Sequence, residues 1–127
     1  MVYGQLHQLI DQKKWDEILQ VLREDPTVQS DTKELHRNDL PLHMACEKHA
    51  PDDVILEILR HNSDALFHVG RGGNLPLHTA CQKNLGHDVI ESFIRMNPMG
   101  LDYRNTANYT PRDFGHSDAY ANESLNR

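Results

Sequence analysis

The chain is poor in several features that would each point to a function class. No apolar run in its 127 residues exceeds a few positions. A bilayer-spanning helix needs about 20, so no membrane insertion is expected. The opening Met1-Val2-Tyr3-Gly4-Gln5-Leu6-His7 lacks a basic stretch followed by an apolar one, so the expectation is no signal peptide and an intracellular setting, cytoplasmic or nuclear. Basic residues are in the minority, 13 Lys and Arg against 19 Asp and Glu, for a net charge of −6. That balance argues against a nucleic-acid binder that neutralises phosphates. Two cysteines cannot build a disulfide framework. Aromatic residues are scarce at 6%. Histidine, with nine copies, is the one residue in excess. A domain of this size buries about two-thirds of its unfolded surface and folds alone with little to spare.

The chain repeats itself. Residues 39 to 70 lie on residues 74 to 105 at a constant offset of 35, with thirteen of 32 positions identical. The matched core is Leu40-Pro41-Leu42-His43-Met44-Ala45-Cys46 against Leu75-Pro76-Leu77-His78-Thr79-Ala80-Cys81. A third copy begins at Tyr109-Thr110-Pro111-Arg112-Asp113-Phe114 and then runs out. Each unit reads as two short helices. Pro41 and Pro76 suit a first helical turn, where the missing N–H costs nothing. Leu42, Ala45 and Cys46 follow as one apolar stripe. After a polar break, His49-Ala50-Pro51-Asp52 or Asn84-Leu85-Gly86-His87, a second helix carries Val54, Ile55, Ile58 and Leu59, matched by Val89, Ile90, Phe93 and Ile94.

Asn38, Gly73 and Asn108 lie 35 apart before these units. Glycine and asparagine accept a left-handed backbone cheaply, so a repeated hairpin-like finger with one positive φ is expected there. Gly70-Arg71-Gly72-Gly73 reads as the flexible finger tip, since a phosphate loop would need a Gly-Lys-Ser/Thr ending. The N-terminal segment is a divergent unit, with Leu6, Leu9 and Ile10 in one stripe and Trp15, Ile18, Leu19 and Leu22 in another. Its charged flanks suit an end cap.

These residues resemble an ankyrin-repeat protein. Gly73-Asn74-Leu75-Pro76-Leu77-His78-Thr79-Ala80-Cys81 is similar to the family's Gly-x-Thr-Pro-Leu-His-x-Ala-Ala, and Gly86-His87 with Val89-Ile90 to its Gly-His and second helix. The family threonine is Leu40 and Leu75 here and survives only as Thr110, where Asp113 replaces histidine. No threonine–histidine bond can therefore form within either full unit. The resemblance implies an all-α, ankyrin-type α-solenoid of stacked helix–turn–helix repeats with short hairpin-like fingers. Its parts would be a capping repeat 1–34, full repeats 35–69 and 70–104, a truncated repeat 105–114 and a polar tail 115–127.

The resemblance also assigns roles. His43 and His78 would be structural, their ring nitrogens bonding backbone of the turn or next repeat. Stacked helices lie roughly 10 Å apart, too far for these two histidines to share a metal or for Cys46 and Cys81 to form a disulfide. The cysteines are expected to be buried thiols. His7, His36, His49, His61, His68 and His116 are scattered and expected mostly at the surface; His87 is expected to cap the second helix. No metal, cofactor or catalytic constellation is expected. The implied contact positions on the concave face are His36, Arg37, Asp39, Glu47 and Lys48, then Arg71, Gly72, Asn74, Gln82 and Lys83, then Thr106, Ala107 and Tyr109. Arg37, Arg71 and Tyr109 are the best anchors, because Arg and Tyr are enriched at hot spots. The incomplete end suggests a second contact through Phe114 and Tyr120, with Ile90, Phe93 and Ile94 under a thin cover. The expected function is a non-enzymatic protein–protein interaction module, an adaptor or small accessory subunit. The alternative is a small regulatory protein that inhibits an enzyme by occluding its surface; stoichiometry and reversibility would separate the two.

Overall fold

The computed structural model describes residues 5–24 and 39–114. The helices in them are α1 (Gln5–Asp11), α2 (Trp15–Glu24), α3 (Pro41–Glu47), α4 (Asp52–His61), α5 (Pro76–Gln82) and α6 (His87–Met96). Short 3-10 turns occupy Ser63–Phe67, Arg71–Gly73, Pro98–Asp102 and Pro111–Phe114. There is no β-strand among the described residues, and the architecture there is all-α. None of these helices is long and apolar enough to cross a membrane.

The helices pack in two rows that follow chain order. α1 lies on α3, α3 on α5, and α5 on the Pro111–Phe114 turn; α2 lies on α4 and α4 on α6. Within each pair the amphipathic faces meet, α1 on α2, α3 on α4 and α5 on α6. The core is the stripe of each helix. Leu6, Ile10, Ile18, Ile55, Phe93 and Ile94 are fully buried, and no apolar residue of the α4 and α6 stripes exceeds 4% exposure.

One turn is built three times. Lys13, His49 and Asn84 follow α1, α3 and α5 with φ of 58°, 59° and 59°. Behind His49, Ala50 N–H donates to Ala45 O at 3.0 Å and His49 N–H to Cys46 O at 3.1 Å. Behind Asn84, Leu85 N–H donates to Ala80 O at 3.0 Å and Asn84 N–H to Cys81 O at 3.3 Å. Lys14 N–H to Leu9 O at 2.9 Å and Lys13 N–H to Ile10 O at 3.0 Å repeat the pattern. This double closure satisfies helix carbonyls that would otherwise lack donors. It costs three non-glycine residues in left-handed backbone, which L side chains rarely adopt.

Four expectations are corrected here. The inter-helix break is not uniformly polar: Ala50 and Leu85 are buried at 2% and 4%, because the closing residue of this turn points back into the core. His87 does not cap α6. It is the first helical residue, and the N-cap is Gly86, with no side-chain bond. Ile90, Phe93 and Ile94 do not lie under a thin cover, since none is more than 1% exposed and the Pro98–Asp102 turn folds against α6 with Leu101 fully buried. His7 is not a surface residue. It is 4% exposed on the inner side of α1, and His61 is likewise enclosed, with a side chain only 7% exposed beside Glu57.

Candidate partner-binding face

Two fingers share one frame. Gly70 N–H donates to Asn74 O at 2.8 Å, and 35 residues on Asn105 N–H donates to Tyr109 O at 2.9 Å. The first finger needs two positive φ values, Gly72 at 71° and Gly73 at 72°, rather than the single one expected. In the second, only Asn108 is positive, at 72°. There the Asn105 side chain holds the turn, its Oδ1 accepting from Ala107 N–H at 3.0 Å and Tyr109 N–H at 2.9 Å.

The fingers are tied to their neighbours, so the 70–73 tip is held by bonds rather than loose. Arg71 N–H donates to Asp39 Oδ1 at 2.8 Å, with Arg71 Nε 3.5 Å from Asp39 Oδ2. Thr106 donates twice to Gly72 O, from N–H at 3.0 Å and Oγ1 at 2.8 Å. Asn105 Nδ2 donates to Asn74 Oδ1 at 2.8 Å. Asp39, Asn74 and Thr106 therefore brace one finger against the next.

Histidines fix the fingers to the first helices. Leu40 N–H donates to His43 Nδ1 at 3.2 Å, and His43 Nε2–H donates to His68 O at 2.9 Å. Leu75 N–H donates to His78 Nδ1 at 2.9 Å, and His78 Nε2–H reaches Tyr103 O at 2.8 Å and Tyr109 O at 3.2 Å. Both rings are thus fixed as neutral, Nε2-protonated tautomers. Burial holds both below the usual histidine pKa, partly offset by these backbone bonds; Asp39 pulls His43 back up and His68 pushes it down. In the third unit Asp113 takes the same position, its carboxylate accepting from Thr110 N–H at 2.8 Å and Thr110 Oγ1 at 3.1 Å. Those bonds hold the Asp113 carboxyl below its usual pKa.

His7 belongs to the same series. Its Nε2 lies 3.3 Å from Asp39 O, much as His78 reaches Tyr109 O. The pair Leu6-His7 precedes Leu42-His43 by 36 residues rather than 35, and this one-residue slip hides it in a fixed-offset comparison.

Beyond the fingers, the first helices exchange charge. Lys48 Nζ is 3.1 Å from Asp11, and Lys83 Nζ is 3.2 Å from Glu47. Each acid pairs with a base one unit later, as Asp39 does with Arg71. Between the fingers and α3 lies a cavity of about 230 Å³, lined by Asp39, His43, Glu47, Arg71, Asn74 and Thr79 among others. Gln82 is exposed on α5. Arg71 and Tyr109 both stand out, with 55% of the arginine side chain and 52% of the tyrosine exposed. Tyr103, which sequence reasoning missed, is 44% exposed beside them. Its ring meets His78 edge-on at 6.1 Å. Phe114 is half-buried, 6.5 Å from the His78 ring and 5.8 Å from that of Tyr109. His36, Arg37, Asn38 and Tyr120 lie outside the described residues.

Cys46 and Cys81 are buried and unpaired with each other. Burial pushes the Cys46 thiol far up and the Cys81 thiol to about 12, so both stay protonated and unreactive. Among the described residues no three His, Cys, Asp or Glu side chains converge as metal ligands.

The chain matches no protein-family model, and no curated protein matches it.

Proposed function

We propose that this chain is an ankyrin-type solenoid serving as a non-enzymatic protein–protein interaction module, an adaptor or small accessory subunit inside the cell. The observation that carries the reading is the division of labour on the finger face. Asp39, Asn74, Thr106 and the histidines hold the fingers, while Arg71 and Tyr109 are exposed on them and Gln82 on α5. A braced surface loses little entropy when it binds, and that is where preorganised interfaces gain affinity. The turn built three times after α1, α3 and α5 supports the repeat reading. Two buried free thiols support a reducing compartment.

On this reading Arg71 and Tyr109 are the anchors, Gln82, Lys83 and Glu47 the surrounding contacts, and Asp39, Asn74 and Thr106 act indirectly by shaping the fingers. The test is site-specific photo-crosslinking in cells, with the crosslinker at Gln82 or Ala107 and, as controls, at Asp88 or Arg95 on α6. A protein captured from Gln82 or Ala107 but not from α6 supports the proposal. Its affinity, remeasured with purified components, then falls at least tenfold in Tyr109→Ala and Arg71→Ala with helicity unchanged. Capture from α6 alone, or affinity indifferent to both substitutions, overturns it.

A further inference from the structure

His78 sits where a proton has nowhere to go. Its Nε2–H is shared between Tyr103 O and Tyr109 O, and its Nδ1 lone pair accepts Leu75 N–H at 2.9 Å. Protonation turns Nδ1 into a donor aimed at another donor, so the ring must leave its seat, Tyr103 O loses its bond to the ring and Tyr109 O keeps only Asn105 N–H. The ring is fully buried, so the imidazolium has no water to turn to in place.

We propose that His78 is an acid-sensitive latch on the 105–109 finger, so that protonating its ring releases this finger while α3 and α4 stay folded. The position of the finger sets the order of events. The 70–74 finger is bonded on both sides, to Asp39 through Arg71 and to the next finger through Gly72 and Asn74. Among the described residues, the 105–109 finger is bonded to a neighbouring finger on one side only. A finger braced on one side opens at lower cost than one braced on both. His43 differs in a second way, because the Asp39 carboxylate beside it favours its charged form. Among the described residues no carboxylate does the same for His78, whose proton affinity is set by burial and backbone bonds.

The charged groups on the elements around His78 are otherwise engaged. Asp113 is bonded to Thr110, Arg112 to Asp102, Arg104 to Asn108 O, Glu47 to Lys83 and Glu91 to Arg95. Tyr103 and Tyr109 contribute phenols, and Asp64 and Asp88 are exposed on the Ser63–Phe67 turn and on α6. His43 lies one unit away, and His87 is exposed on the outer helix. In the open finger the ring regains the ordinary pKa of about 6.5, whereas burial depresses it in the closed one. The open form therefore binds more protons. Closing is favoured above about 6.5 and loses ground as pH falls through that value towards the depressed one.

The proposal concerns the finger alone and is tested without any binding partner, so it stands or falls separately from the function proposed above. Amide hydrogen exchange on the full chain between pH 7.5 and 5, corrected for intrinsic rates, reads the opening. Protection of Asn105, Thr106 and Tyr109 is expected to fall at least tenfold by pH 5, while amides of α3 and α4 keep theirs. In His78→Gln, whose neutral amide can donate to Tyr103 O without titrating, that fall disappears. Unchanged finger protection in the wild type overturns the latch, as does loss of protection across α3 and α4 at the same pH. So does the same pH dependence in His78→Gln. Should that variant not fold, the wild-type side-chain NMR titration of His78 decides: its midpoint must coincide with finger opening, and a separate midpoint overturns the proposal.

Discussion

The units beginning at Pro41 and Pro76 share their turns, their histidine bonds and their apolar stripes, yet their histidines live in different company. His43 has Asp39 and the edge of the His68 ring, 5.5 Å away, around it. His78 has Tyr103 and Phe114, with Tyr109 packed on the latter. Leu42, His43, Ala45, Cys46, Val54 and Ile55, held in common with the second unit, fill the core or satisfy backbone groups. The exposed Arg60 and Asp53 repeat as well, and buried positions such as Ala50 against Leu85 and Ile58 against Phe93 differ only in which apolar side chain they carry. The finger positions Asp39 against Asn74, and His68 against Tyr103, differ in chemistry, and there the two units meet different neighbours.

Substitutions at paired positions can break this contrast. Ile58 and Phe93 are equivalent and buried at 1% and 0%. Phe93→Ala is expected to lower unfolding free energy by about 3–5 kcal/mol and Ile58→Ala by about 2–5 kcal/mol, read from urea midpoints. Near-equal losses mean that the two cores are interchangeable; a small loss at Phe93 alone would show that α6 is loosely packed. Next come the histidines. His43→Leu and His78→Leu each strand a buried N–H and a carbonyl, for about 2–4 kcal/mol apiece. Since the two sites are one unit apart, the double variant should be close to additive. Marked coupling in that cycle would deny that the units close independently.

Smaller effects are expected at the turns and charges. Gly73→Ala puts a Cβ 2.8 Å from Thr106 N at φ 72°, which should cost about 1–2 kcal/mol of thermal stability. Asn108→Ala, at the same φ but where a Cβ is already accommodated, should cost less. His49→Gly should move the other way, gaining up to about 1 kcal/mol by relieving left-handed strain. A loss there would mean that the histidine side chain does more than fill the turn. The weakest test is Glu47→Gln. Its pair with Lys83 is half exposed, so about 0.2–1 kcal/mol at low salt is expected, vanishing at 1 M salt.

Helix positions could be read from the chain because an offset of 35 superimposes proline starts and apolar stripes. Periodicity of that kind reports which face is apolar. It does not report the direction of a polar side chain, and the finger face is made of such directions. Asp39, Asn74 and Thr106 looked like surface groups open to a partner, yet each reaches a residue 31 to 34 positions away. His7 was lost to a one-residue slip in register, although Leu6-His7 repeats Leu42-His43 and Leu77-His78. The left-handed Lys13, His49 and Asn84 carry no glycine to announce them. Tyr103 escaped notice because its equivalent in the previous unit is His68, so no repeated residue type flags it.

The acid-to-base pairing along the first helices gives the chain a grammar. Asp11 answers Lys48, and Glu47 answers Lys83, so the α1–α3 and α3–α5 joints both read acid before base and one can stand in for the other. Removing residues 41–75 would bring Asp11 opposite Lys83, and duplicating them would set Glu47 opposite a second Lys48. Either edit leaves each acid facing a base at the first-helix joints. Lengthening or shortening by whole units therefore needs no new electrostatic solution there, whereas a cut at any other spacing would set mismatched ends together.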